Sequence, residues 1–493
     1  MTTSTPTSTT PTTPAPAPPT ARRHRRPGWF GALLLRLHFY AGLLVGPFIL
    51  VAAVSGALYA LTPAIEQVVH RHELTAPVTA DRLSLAEQTR IAVAHVGDPD
   101  AVPSAVRPAP APGTTTRVMF AQPYSPDRLG ESESRAVFVD PGTGEVRGDL
   151  TVYGTSGALP LRAWLDHLHR NLHLGEPGRL YSELAASWLG VVALAGLGLW
   201  VQRVRRSRAP RDLLRPARGR RGYRRLFGWH TSAGFWVLLG ALFLSATGIT
   251  WSQHAGGNVD ALRGAVGWGT PAVDRSLPGA GAAAAPPGDH AHHEGGGAAA
   301  TSGPATFDPD LVDAVLATAR TVNVNTDLVE ITPPSGPDEA WVVQEIQRSH
   351  PTEVDAVAVD PATLRAVHRV DFSEFPLAAK LARWGIDAHM GSLFGLPHQI
   401  ALFALGSAVA ALVVLGYLMW WARRPTRARG LVGGTPPERG VLRGAPWWGV
   451  AAVLAGAVVV GWWLPLVGWT LAGFVVLDVL LGWRAAVRPA AAP

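Results

Sequence analysis

Six runs along the chain are apolar and nearly free of charge for roughly 17 residues or more, close to the length that crosses a bilayer core. They lie near 40–62, 183–202, 229–252, 399–422, 446–462 and 465–483. Between them the period changes. Residues 84–96 and 308–322 carry apolar side chains at helical spacing. Residues 117–121, 136–140, 327–331, 340–346 and 354–360 alternate as half-buried strands do. The pattern predicts a polytopic α-helical membrane protein with small α+β domains in its two long connecting stretches.

The spans also repeat. RLHFYAGLLVGPFILVAAVSGALY (36–59) aligns without a gap on GWHTSAGFWVLLGALFLSATGITW (228–251), so that His38 meets His230, Gly42 meets Gly234, and Ser55-Gly56 meets Thr247-Gly248. The second and fourth spans align at an offset of 220. Trp164 then meets Trp384, His169 meets His389, Gly196 meets Gly416, Trp200 meets Trp420 and Arg203 meets Arg423. Asp140-Pro141-Gly142-Thr143 and Asp360-Pro361-Ala362-Thr363 mark corresponding turns. A Gly/Ala-rich insertion at 276–303 accounts for the difference between the two offsets. The expectation is a duplicated unit of membrane helix, outer domain and membrane helix forming a four-helix core, in parallel orientation, followed by two further membrane helices.

Charge orients this plan. Arginines crowd before the first span (Arg22, Arg23, Arg25, Arg26), after the second (Arg203 to Arg225) and after the fourth (Arg423 to Arg443). Short basic connectors stay cytoplasmic. The segments are then a disordered cytoplasmic tail (1–27), membrane helix one (28–65), outer domain one (66–165), membrane helix two with an outer histidine segment (166–204) and a cytoplasmic loop (205–227). Membrane helix three (228–252), outer domain two (253–385), membrane helix four with its histidine segment (386–424), a cytoplasmic loop (425–444), helices five and six (445–484) and a cytoplasmic tail (485–493) complete the chain. The first span lacks a well-placed small-residue cleavage site and reads as retained in the cell membrane. The net charge of +7 belongs to membrane edges and not to nucleic-acid binding. With no cysteine, disulfides, cysteine-ligated clusters and c-type haem attachment are excluded. No dinucleotide or phosphate loop is present, and no arrangement suited to hydrolysis.

The candidate chemistry lies in the histidines. His38 and His230 fall near one end of equivalent spans, and His169 and His389 near the other end of the second equivalent pair. A lone histidine at a membrane edge commonly snorkels or caps, and a duplication can copy it without selection. Yet ionisable groups within spans mark ligands or pathways, and His and Gly match here while Leu, Val and Ala have drifted. His38 and Gly42 share a helix face, as do His230 and Gly234, leaving room for a flat macrocycle or for close helix packing. Two facing imidazoles can hold a haem iron from both sides. The expected set is two bis-histidine b haems, with His38 and His230 on one and His169 and His389 on the other; a crossed pairing satisfies the same symmetry. His173 and His398 are alternative outer ligands, and His167 faces away. The HAHHE tract (290–294) is a possible metal ligand of another kind.

These four helical motifs resemble the PepSY-associated transmembrane family over about residues 28–425, with PepSY domains in the outer stretches. The resemblance implies a four-helix core and, as in some members, a di-haem protein that reduces ferric siderophores outside the membrane. His38, His169, His230 and His389 are the positions to which haem ligation carries over. The implied partners are the lipid bilayer, an external ferric chelate and an electron donor, a quinol or a cytoplasmic reductase. Rival expectations are a non-enzymatic anchor whose outer domains bind a partner such as a peptidase, and a protein handling copper or another metal.

Overall fold

The computed structural model describes residues 28–98, 100–121, 133–207, 214–216, 219–278, 307–424, 437 and 439–487. The tail expected to be disordered, the HAHHE tract and most of the insertion lie outside them.

The first apolar run is not one helix. It breaks at Val45 into α1 (Trp29–Leu44) and α2 (Gly46–Val69). Pro47, in the first turn of α2, has no N–H to give the Leu43 carbonyl. The Tyr417 hydroxyl donates to that carbonyl instead, at 2.6 Å. A backbone group inside a membrane needs such a partner, and here a distant side chain supplies it.

The other long spans are α6 (Glu176–Arg206), α7 (Tyr223–Thr250) and α11 (Gly395–Ala422). With α2 they are the four helices, among the described residues, long and apolar enough to cross a membrane. They pack as a bundle, α2 against α11, α6 against α7 and α7 against α11. The bundle centre is apolar, with Ile49, Ala185, Trp188, Val237, Ala241 and Val409 buried.

Six spans were expected, and the last two apolar runs each form a helix. α12 (Trp447–Trp463) has 17 residues, or about 25 Å at helical rise, short of a full hydrocarbon core. α13 (Pro465–Val487) carries Asp478 within its apolar stretch. That carboxylate is paired with Arg36 of α1 at 2.5 Å and with Arg439 at 3.3 Å. Trp188 of α6 also donates to Thr470 of α13. The two helices therefore brace the bundle from its side.

Short amphipathic helices precede two of the spans. α5 (Pro160–Asn171) ends where Leu172 and His173 adopt left-handed backbone conformations, before α6 begins. α10 (Leu377–Met390) ends at left-handed Gly391 before α11. His169 and His389 sit on α5 and α10, and not on the spans where the aligned motifs place them. A further short helix, α8 (His254–Ala265), follows α7; buried Glu183 of α6 accepts hydrogen bonds from its first backbone N–H groups.

The outer stretches hold α3 (Arg71–Leu74), α4 (Leu85–Val96), α9 (Leu311–Val322) and eight strands. These are β1 (Pro103–Arg107), β2 (Thr116–Ala121), β3 (Glu133–Val139), β4 (Val146–Tyr153), β5 (Val329–Thr332), β6 (Trp341–Glu345), β7 (Ala356–Val359) and β8 (Ala366–Val370). Ser84 caps α4, its hydroxyl accepting from the Glu87 N–H.

The two outer stretches do not form separate domains. All strands join one antiparallel sheet in the order β4-β3-β2-β1-β5-β6-β7-β8. β1 and β5 meet at its centre, Val106 facing Ile331. Beneath the seam one apolar core takes Val106, Val118 and Val137 from the first stretch and Val312, Ile331 and Trp341 from the second. Polar ties cross it too: Arg107 pairs with Glu330 at 2.6 Å, and Asp313 of α9 accepts from the Leu85 and Ala86 N–H groups that open α4.

Candidate functional site

Two cavities occupy the bundle. The far cavity, about 540 Å3, lies away from the sheet and includes His38, His230, Gly42, Gly234 and Gly416 in its wall. The sheet-side cavity, about 240 Å3, is walled by His169, His389, Gly56, Gly248 and Tyr59, with Thr155 and Arg348 from the outer stretches. Ile49, Leu189 and Val409 border both cavities and form an apolar layer between them.

Each cavity brings two histidines face to face. The His38 and His230 rings lie 6.0 Å apart between centroids, and those of His169 and His389 lie 6.4 Å apart. Two imidazoles sharing one metal ion through bonds of about 2 Å place their centroids about 6 Å apart. The rings lie together as His38 with His230 and His169 with His389.

Three of the four Nδ1 atoms already face a protein oxygen. His38 Nδ1 is 3.0 Å from the Val192 carbonyl and His169 Nδ1 is 2.9 Å from the Ala52 carbonyl. His389 Nδ1 is 2.6 Å from Thr247 Oγ1, and Ser55 Oγ lies 3.2 Å from His169 Nδ1. His230 Nδ1 is buried without a hydrogen bond of good geometry. Engaging Nδ1 fixes the tautomer and leaves the Nε2 lone pair for a metal. The Ser55-Gly56 and Thr247-Gly248 repeats were visible in the sequence, but their contacts with the histidines were not. Trp251, whose ring lies 5.7 Å from that of His389, carried no sequence signal at all.

The glycines divide into two kinds. A methyl on Gly42 or Gly416 would meet nothing within 4 Å, and one on Gly234 only Leu412 at 4.0 Å. They face open cavity, as the approach of a flat macrocycle requires. Gly56 and Gly196 seat the rings themselves. A methyl on Gly56 would come within 2.8 Å of His169 Cε1, and one on Gly196 within 3.1 Å of His38 Cε1. In the far cavity two imidazoles with open space beside them are a donor set that suits haem; the sheet-side cavity offers the same donors in a smaller space.

The other histidines are not brought to either pair. His173 packs against Trp164 and His167, at 5.1 and 6.0 Å. His398 packs against Phe394. His167 is buried against Tyr153 with neither ring nitrogen hydrogen bonded, and burial, helped by Arg170, pushes its pKa down to about 4. Arg348 reaches the sheet-side cavity from the loop after β6 and donates to Thr155. Burial and neighbouring Arg383 push its guanidinium down to about 10. Among the described residues, Glu345, Glu353 and Asp355 converge closely enough to hold a cation. Glu345 is already bonded to the Asn325, Thr326 and Asp355 N–H groups.

A polytopic bundle that pairs histidines inside it and carries one outer sheet is the class these observations define. The chain belongs to the family described as PepSY-associated TM region, whose model matches residues 35–423. No curated protein matches it.

Proposed function

We propose that the protein is a two-haem electron conduit of the cell membrane that reduces a ferric chelate, such as a ferric siderophore, on its outer side. The observation that carries this reading is the pair of facing histidine couples, each in its own cavity with an Nδ1 committed to a protein oxygen. Haem b held by two imidazoles supplies a one-electron Fe(III)/Fe(II) couple with no iron position open to oxygen.

The chain's own residues do the rest. His38 and His230 would hold one haem, and His169 and His389 the other. From His230 to Thr247, which touches His389, is seventeen residues of α7, or about 25 Å. That distance fits within a hydrocarbon core of about 30 Å, with one site toward each face. Ile49, Leu189 and Val409 keep the space between them dry. The basic helix ends favour a cytoplasmic side for the far cavity and an outer side for the sheet. The electron donor, a quinol or a cytoplasmic reductase, would act on the far-cavity side and the ferric chelate on the sheet side. Each electron converts one external Fe(III) to Fe(II), which hard oxygen chelators hold less tightly. A duplicated helix–domain–helix unit is the simplest origin of the two matched histidines within each site.

Proteoliposomes enclosing a membrane-impermeant reductant, with ferric chelate and an Fe(II) indicator outside, test this. The wild type should produce external Fe(II), while His38→Ala and His389→Ala should not. Equal signals from wild-type, variant and protein-free vesicles would overturn the proposal.

A further inference from the structure

The end of the far cavity carries two arginines that histidine ligation does not use. Arg203 lies in the last turn of α6 and Arg423 follows the end of α11; both line the cavity. They occupy matching positions at the offset of 220. Arg203 lies 4.6 Å over the Phe227 ring, and Arg423 lies 5.8 Å over Phe39 and 5.7 Å over Tyr223.

The cavity lining includes Arg203, Arg206 and Arg423 but no aspartate or glutamate among the described residues. Three other inward-facing arginines have acidic partners: Arg36 with Asp478, Arg162 with Glu66, Arg348 with Asp387. A helix C-terminus favours a cation, which explains an arginine at each end. It does not explain why both face one apolar cavity and rest on aromatic rings from neighbouring segments. Guanidinium groups held this way present their N–H forks to oxyanions.

We infer that Arg203 and Arg423 clamp the anionic oxygens of an amphiphile whose flat apolar body lies between His38 and His230. This rests on the haem reading, and the oxyanions are then the two propionate carboxylates. The clamp fixes the ligand's direction, acidic edge toward the arginine end, and sets the charge near the iron. The two arginines are positioning residues.

The test uses the full chain, grown without haem supply and carrying His169→Ala so that only the far site is scored. It is titrated in nonionic detergent with haem and with haem dimethyl ester, whose carboxylates are blocked. With both arginines intact, free-acid haem should bind at least ten-fold more tightly than the ester. Arg203→Gln/Arg423→Gln should bring the two within two-fold, and Arg203→Lys/Arg423→Lys should restore part of the preference. In the haem-loaded full chain the glutamine pair should also shift the far midpoint potential negative, since less positive charge favours ferric iron, and leave the sheet-side potential unchanged. A glutamine pair that keeps the acid preference and the potential overturns the clamp. So does equal binding of acid and ester by the intact arginines together with arginine-dependent binding of anionic phospholipid, which would assign the pair to a lipid phosphate. Failure of the intact site to bind either haem as a low-spin complex overturns the haem reading itself.

Discussion

Gly56→Ala adds one methyl group where α2 passes the His169 ring. The new carbon would stand 2.8 Å from His169 Cε1 and 3.1 Å from Nδ1. Carbon atoms rest comfortably at about 3.5–4.0 Å, so the ring must retreat by roughly 0.7 Å or more. His169 Nδ1 is now 2.9 Å from the Ala52 carbonyl and 3.2 Å from Ser55 Oγ. A retreat of that size takes both beyond useful hydrogen-bond range. Alanine favours the helix itself by about 1 kcal/mol over glycine, so α2 should still form. Overpacking costs about 1–3 kcal/mol and a lost hydrogen bond about 0.5–1.5 kcal/mol. About 1.4 kcal/mol is already ten-fold in affinity. Sheet-side haem affinity should therefore fall at least ten-fold while the far haem stays. Haem content and spectroelectrochemical midpoints of the purified variant measure this. A variant retaining both haems, with the sheet-side midpoint unmoved, would refute the assigned role of Gly56.

Gly42→Ala meets no atom within 4 Å, so the haem-free protein should melt no lower than wild type while far-site haem content drops; undiminished haem would mean Gly42 is not beside the ligand. Arg107→Ala leaves Glu330 without its guanidinium at the sheet seam, and breaking a buried pair costs about 3–5 kcal/mol. Denaturant unfolding followed by tryptophan fluorescence should show that loss, and Arg107→Met/Glu330→Met should recover most of it. His167, held near pKa 4 by burial, takes up its proton in the unfolded chain near pH 6.5. Its contribution is intact above that pH and falls as pH drops toward 4, by about 3 kcal/mol in all. Melting curves at pH 7.5 and 5 should differ less for His167→Phe than for wild type; an equal pH response would show that His167 is not the acid-sensitive group.

The bundle was legible because its signal is local. Uninterrupted apolar runs mark α6, α7 and α11, and the repeated His and Gly positions mark both cavities. The break at Val45 was written in Pro47, but its remedy, Tyr417, lies on another helix and shows only in three dimensions. His169 and His389 were recognised as partners, whereas the left-handed residues that set α5 and α10 apart from the spans carry no strong sequence signature except Gly391. Strands β2, β3, β6 and β7 have buried faces and were read from their alternation. The edge strand β8 is largely exposed, β4 is mostly half-buried without alternation, and β1 begins with a proline, so none shows a clear period. The joining of the sheet at β1 and β5 depends on a pairing across more than two hundred residues, which no local pattern encodes.

The paired-histidine reading is tested most directly by counting haem in the purified full chain. Reduced-minus-oxidised spectra with quantified haem should give two low-spin b haems per chain for the wild type. One should remain in His38→Ala, in His230→Ala and in the variant carrying both, because those two residues serve the same iron. A colourless protein from haem-replete cells, or two haems retained in the double variant, would contradict it.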